Sequence, residues 1–371
     1  MKKLITVIIS AVILVTVSTI SVSAEESSLI YDLTDLYSSI SEEAKESLDS
    51  IGAGSADANL LSEITFDSIV GEITNIASEN ISSPLKGLIT ITALLLLSSI
   101  LSAYKSTLSN DVTTAINITS ALCVTCAVVV PSVAVIKSTG NVITTASNIM
   151  LAYVPIMAVI MSTSGNAVSS ASYSSMMIAA GEGVGQLSSK VIVPFLNMFL
   201  GISVTSSVSP DINLSGFTSM ISKVIKWLLG FAMAIFTALL SFKQLITTSL
   251  DDVATKAVRF TLSSFIPIVG SALSDAYKTV QGSVSLLKSG VGIFVILTIA
   301  IVFLPVILQC LMWIVTLWIG KSTAEVLSLS QTAKLLESVT TVFSTLLAIL
   351  LCIMSVYIIS TALVLLMGGK G

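Results

Sequence analysis

From Lys86 onward the chain is a succession of apolar runs, at 87–104, 114–136, 143–162, 171–208, 227–242, 291–319 and 339–367. Runs of this length dictate the fold class. A helix needs roughly 20 apolar residues to cross the ~30 Å hydrocarbon layer of a bilayer, and within lipid it satisfies its own backbone hydrogen bonds. Only 10% of the residues are charged, against about 25% in soluble domains, so the chain cannot clothe a water-facing surface of ordinary size. The expected fold is all-α, a polytopic helical membrane bundle of about seven spans. The last two runs exceed a single crossing, so they tilt, kink or extend beyond the lipid. The run 171–208 contains "AAGEGVGQLSSK" and reads as one broken helix or two short ones.

Two other units precede this bundle. Residues 1–24 read as a signal peptide: Lys2 and Lys3 form a positive start, residues 4–20 an apolar stretch, and Val22-Ser23-Ala24 a small-residue cleavage site. The apolar stretch is long enough to suit an uncleaved anchor as well; either way the next segment is exported. Residues 25–83 hold thirteen of the 21 carboxylates and a single lysine, Lys45. Leu29, Leu33, Leu36, Ile40 and Leu48 recur at helical spacing, "GAGSADAN" interrupts them, and Ile64, Ile69, Ile73 and Ile76 resume the pattern. The spacing predicts two amphipathic helices in a hairpin. So small a unit has a thin core and must pack on something else, as a partner-binding element, a spacer or a cap over the bundle mouth.

Residues 84–371 then form the membrane domain. Seven crossings from an exported start would leave the C-terminus in the cytoplasm. The basic residues Lys243, Lys256, Arg259, Lys278 and Lys288 would lie there too, as the positive-inside tendency prefers.

Composition removes several function classes. The chain has no histidine, which excludes His-based acid–base chemistry, His metal sites and the Ser-His-Asp triad. Basic residues are scattered, and Arg259 is the only arginine, so there is no clustered face for nucleic acid. Cys123 and Cys126 form a CxxC inside an apolar helix without a second ligand pair, where they read as small hydrophobes. "GEGVGQ" lacks the spacing and the preceding strand of a nucleotide-binding turn. Neither a catalytic group, a metal site nor a cofactor is expected, and an intramembrane enzyme is disfavoured.

Ionisable groups and helix breakers in the membrane part are the candidate functional residues, because a charge there costs at least ~2.5 kcal/mol. Glu182 stands between Gly181 and Gly183, and Gly181 and Gly185 are spaced to let another backbone approach closely. It suits an ion or proton site, a broken-helix bend, or a carboxylate at the water interface. Pro131, Pro155, Pro194, Pro267 and Pro305 each follow an aliphatic residue and predict kinks, whether for packing or for lining a pathway.

The stretch 263–290 is the most unusual. Val269, Leu273, Tyr277, Val280, Val284 and Leu287 fall on one stripe about 80° wide, with Ser271, Ser274, Asp275, Lys278 and Ser285 elsewhere. Asp275 and Lys278 are spaced to pair. An amphipathic helix after a turn at Pro267 and Gly270 either lies flat on the membrane surface or forms a re-entrant, pore-side element. The candidate pore-lining or structural residues are thus Glu182, Gly181, Gly185, Pro267, Gly270, Asp275, Lys278 and Lys288.

"FIPIVGSALSDAYKTVQGSVSLLKSGVG", with its F-I-P-x-V-G start, S-D, and S-L-L-K-x-x-V-G end, resembles the signature stretch of the stage III sporulation protein AE family. The family shares the layout of signal sequence, exported acidic segment and multi-spanning remainder. The resemblance implies a mother-cell membrane protein in the membrane around the forespore of an endospore-forming bacterium. It implies a subunit of a transenvelope, secretion-like channel complex needed for endospore development and late forespore gene expression. Its partners would be other membrane proteins of the complex, including an ATPase subunit, and a forespore-made protein. No catalytic residues come with the resemblance. The rival reading from another class is a stand-alone secondary transporter, for which broken helices at 181–185 and 267–270 would be matching features of two halves.

Overall fold

The computed structural model describes residues 34–57, 60, 61, 63–103, 110–164, 166–208, most of 216–241, and 270–366; the signal-peptide segment and Pro267 lie outside these residues. Among the described residues the fold is all-helical. Three short helices come first: α1 (Thr34–Ser38), α2 (Glu42–Ser50) and α3 (Phe66–Asn80). The bundle follows as α4 (Ser82–Ala103), α5 (Asn110–Thr163), α6 (Ala167–Leu187), a π-helical turn (Ser188–Ile192) and α7 (Val193–Val208). A further apolar helix, α8 (Ser219–Ala238), precedes α9 (Gly270–Val326) and α10 (Ser330–Leu366).

Five of these helices are long and apolar enough to cross a membrane: Ser82–Leu101, Thr119–Thr163, Ser219–Ala238, Leu287–Val326 and Ser330–Leu365. The difference from seven runs has local causes. The runs 114–136 and 143–162 are one uninterrupted helix, α5, of 54 residues. The polar interlude "KSTGN" does not end it, because Thr139 donates to the Val135 carbonyl at 2.9 Å and Gly140 leaves room for Val193 of α7. Pro131 and Pro155 also lie inside α5, and Pro305 inside α9, without ending either helix. The run 171–208 is divided between α6 and α7 by the π turn. Pro194 explains its place: the ring cannot donate to the carbonyl four residues back, at Lys190, and a widened turn there relieves the clash.

The central element is the antiparallel pair α9–α10. Its contacts step in opposite directions along the two helices: Gly292 against Leu365, the Trp313 ring on Phe343 at 5.9 Å, and Gly320 against Leu336. The turn between them closes with Ser328 in the left-handed region, φ 59°, and the Leu329 amide donating to the Ala324 carbonyl at 2.8 Å. That is a Schellman-type cap with serine where glycine is usual. Gly52, φ 81°, plays the corresponding part after α2, where the Ala53 amide reaches the Leu48 carbonyl.

The other helices pack on this pair at different heights. α4 meets the half nearest the turn: Thr316 donates to the Pro84 carbonyl at 3.3 Å, Gly87 lies under the Trp313 ring, and Ile91 faces Gly320. The acidic helices meet the far half. Tyr37 of α1 packs on Phe294 with ring centroids 5.2 Å apart, and α2 and α3 both lie against α9. Leu36, Ile40 and Leu48 join the core of the bundle rather than a core of their own, which is how so short a unit is held. α5 and the α6–α7 arm form a second antiparallel pair, with Gly181 beside Leu151 and Gly140 beside Val193.

Candidate functional site

A tyrosine inside an apolar run must find a partner for its hydroxyl. Two such residues, Tyr153 in "LAYVP" and Tyr357 in "SVYII", mark a polar seam where α5, α6 and α10 meet. Ser147 and Tyr357 share a buried hydrogen bond of 2.8 Å across 210 positions of sequence. One turn along α10, Ser360 donates to the Met177 sulfur of α6 at 2.8 Å. Tyr153 and Tyr173 lie side by side, both hydroxyls buried and neither in a well-aligned hydrogen bond. Between α5 and α6, Ser170 donates to the Ala158 carbonyl at 2.7 Å. Inside a packed interior without water such bonds hold particular helix pairs in register.

Gly181 belongs to this seam. A methyl group there would come within 3.3 Å of Leu151 Cδ2 and 3.8 Å of the Ser147 carbonyl oxygen, so the glycine sets how closely α6 approaches α5. Glu182, the next residue, points away and is exposed, as is Gly183, which has nothing within 4 Å of a Cβ position. The structure therefore does not bring Glu182 to the seam. Gly185 lies in the same helix, two residues before its end.

The helix of the unusual stretch begins at Gly270 and continues without a break through Val326, so residues 270–290 are the leading turns of α9. Asp275 and Lys278 fall in those turns, in the backbone of the helix, while Pro267 lies outside the described residues. Val284 is buried and Leu287 half-buried, which turns that end of the stripe toward the bundle.

Lys288 goes inward as well. It is 2% exposed, and its Nζ has no hydrogen-bond partner among the described residues. A buried ammonium without an acceptor is costly, and among the candidates whose side chains are described it is the one that is both ionisable and enclosed. Lys321, by contrast, is paired near the α9–α10 turn with Glu337 at 3.2 Å and Glu325 at 3.7 Å.

A lateral groove of about 350 Å³ lies between α5 and α7, lined by Thr125, Cys126, Val130, Asn197, Leu200 and Gly201. Cys123 and Cys126 are free thiols on exposed positions of α5. Among the described residues no group of three His, Cys, Asp or Glu could hold a metal ion. These arrangements position helices and bury polar atoms; none of them pairs a nucleophile with a base. The Ser147–Tyr357 contact escapes sequence reasoning because its members are far apart in the chain, although a tyrosine inside an apolar run signals that a partner exists.

Long apolar helices, antiparallel pairs and buried hydroxyl contacts define a multi-pass helical membrane protein. Residues 58–368 match the family described as stage III sporulation protein AE, and the chain belongs to that family. A curated relative, the stage III sporulation protein AE of Bacillus subtilis (strain 168), is 25% identical over 166 residues, covering 44% of this chain and 42% of the relative. The aligned part thus spans less than half the length of the relative. No solved structure matches.

Proposed function

We propose that this protein is a membrane subunit of a transenvelope, secretion-like channel complex that works between mother cell and forespore during endospore development. The single observation that carries the reading is the family match across nearly the whole bundle, which ties the chain to sporulation. The signature stretch that opens α9 and the acidic segment held against α9 fit a subunit that is part of a larger assembly. The protein serves as a structural element rather than an enzyme. Its energy source is an ATPase subunit elsewhere in the complex, and a forespore-made protein completes the conduit. Lys288 supports the same reading: an enclosed cation with no acceptor among the described residues suits a chain that meets its electrostatic partner only after a rearrangement on assembly.

The test is genetic and biochemical together. In the spore-forming host, loss of the gene arrests development after engulfment, and the tagged protein co-purifies with other sporulation membrane proteins. Lys288→Met keeps the protein in the membrane and reduces that co-purification. Transport by the purified protein alone in liposomes would overturn the assembly reading in favour of a stand-alone transporter.

A further inference from the structure

The long helices do not fit a bilayer. At 1.5 Å per residue, the apolar stretch of α9, Leu287–Val326, measures about 60 Å and that of α5, Thr119–Thr163, about 68 Å, against ~30 Å of hydrocarbon. Fitting 60 Å into 30 Å by tilting needs about 60°, beyond the 0–40° that membrane helices adopt. Part of each helix therefore leaves the lipid, and two independent features say which part.

The first is charge. The segment from Asp35 to Glu79, which holds α1–α3, carries ten carboxylates and one lysine, and Tyr37 fixes it to α9 at Phe294. Asp35, Glu42, Glu43 and Glu46 around that contact are all exposed. Each would cost at least ~2.5 kcal/mol in hydrocarbon, so the level of Phe294 is a level of water.

The second is the distribution of exposed apolar side chains. On α9, among the described residues, every exposed large apolar residue lies at or beyond Val315, although the apolar run begins at Val291. α10 has none among its described residues. α4 and α8, which lie against the half near the α9–α10 turn, are studded with them, Leu97 and Leu101 among those on α4. The exposed tryptophans, Trp227 and Trp318, are on this half as well, as suits residues that favour membrane–water boundaries. On the far half, α5 and α6 together expose only Val159, Val168 and Ile178 among the large apolar residues described, while α6 turns outward Ala171, Ser175 and Glu182.

We infer that the bilayer grips only the half of the bundle next to the α9–α10 turn, and that the other half stands in water on the side of α1–α3. There its apolar helices are sheathed by α1–α3, by α6 and by one another. The apolar run 291–309 is then the core of a stalk, and the acidic segment is its sheath. The far end of α10 lies on the same side as α1–α3, where a count of seven crossings puts it on the opposite side.

The test uses the full chain in lipid nanodiscs, with the native cysteines replaced and single cysteines carrying a nitroxide at Ser175, Ala171, Glu46, Leu97 and Val130. Collision with a water-soluble nickel chelate is compared with collision with oxygen. The labels at Ser175→Cys and Ala171→Cys should match the α2 reference at Glu46→Cys. Their chelate-to-oxygen ratio should exceed that at Leu97→Cys and Val130→Cys at least about tenfold, because hydrocarbon excludes a polar chelate. A lipid-like ratio at Ser175 and Ala171 overturns the inference. So does exclusion of both reagents there, which would make that face an interior rather than a wetted surface.

Discussion

Gly87 offers the sharpest test of how the bundle is packed. A Cβ at this position would sit 2.8 Å from Trp313 Cζ3 and closer still to the ring's outermost carbon. Trp313 cannot yield, being 1% exposed and stacked on Phe343. Forcing one methyl group into such a contact costs about 1–3 kcal/mol. Against this, alanine gains about 1 kcal/mol over glycine inside a helix, so Gly87→Ala alone understates the clash. The same substitution at Gly71 in α3 or Gly183 in α6, both in helices with nothing within 4 Å, supplies the propensity gain by itself. The difference between Gly87→Ala and those references is therefore the ring contact, about 1–3 kcal/mol, or roughly 5- to 150-fold in the ratio of folded to unfolded protein. Unfolding equilibria in bicelles measure it, and Trp313→Phe in the Gly87→Ala background should restore part of the loss through a smaller ring. Equal stability of Gly87→Ala and Gly71→Ala, or no coupling to Trp313→Phe, would refute the reasoning.

Three further outcomes follow from other contacts. Ser147→Ala and Tyr357→Phe each remove one end of the 2.8 Å bond and should cost about 1 kcal/mol, with the double variant costing less than the sum; additive losses in the same bicelle assay would mean that the bond holds nothing. Ser328→Gly should stabilise the α9–α10 turn by about 1 kcal/mol, because φ 59° costs any residue with a Cβ, whereas Ser328→Val should weaken it. Burial, and to a lesser degree the Asp49 carboxylate, raise the pKa of Tyr37 above its usual 10.0, although the hydrogen bond from the Ala56 amide opposes them. The detached phenol then loses its proton before the docked one does. The contribution of Tyr37 to the attachment of α1 is therefore constant below about pH 10 and falls as pH rises beyond it, a trend that protease access to residues 34–57 should report and Tyr37→Phe should abolish.

The class of fold was legible because it rests on the length of apolar runs, which a chain cannot conceal. Where one helix ends and another begins was less so. "KSTGN" in α5 has the look of a loop, yet its threonine bonds back to the preceding turn and its glycine admits Val193, so the polar residues are absorbed without a break. Pro131, Pro155 and Pro305 behave likewise, since neighbouring helices hold the chain on course on both sides of each ring. Helical spacing marked Leu36, Ile40 and Leu48 in one predicted helix and Ile76 in a second, and all four are buried, although the first pattern is divided between α1 and α2; the surface that Leu36, Ile40 and Leu48 join, the bundle core with α9 at Phe294 beside Tyr37, lies more than two hundred residues away and left no trace in the local pattern. The candidate residues divided in the same manner. Gly181 sits at a close approach and Lys288 is enclosed, while Glu182, one residue from Gly181, faces outward because a helix turns about 100° per residue.

Hydropathy measures a preference for leaving water, not for entering lipid, and α9 separates the two. Residues 291–309 and 310–320 are about equally apolar, but the first stretch loses its water to α10, α5 and the acidic helices, whereas the second keeps an outer face with Val315, Trp318 and Ile319 exposed. A protein interior and a bilayer are alike to a leucine. They differ for the residues around it, because carboxylates can ring the first and not the second. Charge on the neighbouring element is therefore the discriminating signal in a chain of this kind, and α1–α3 carry it at the level of Phe294.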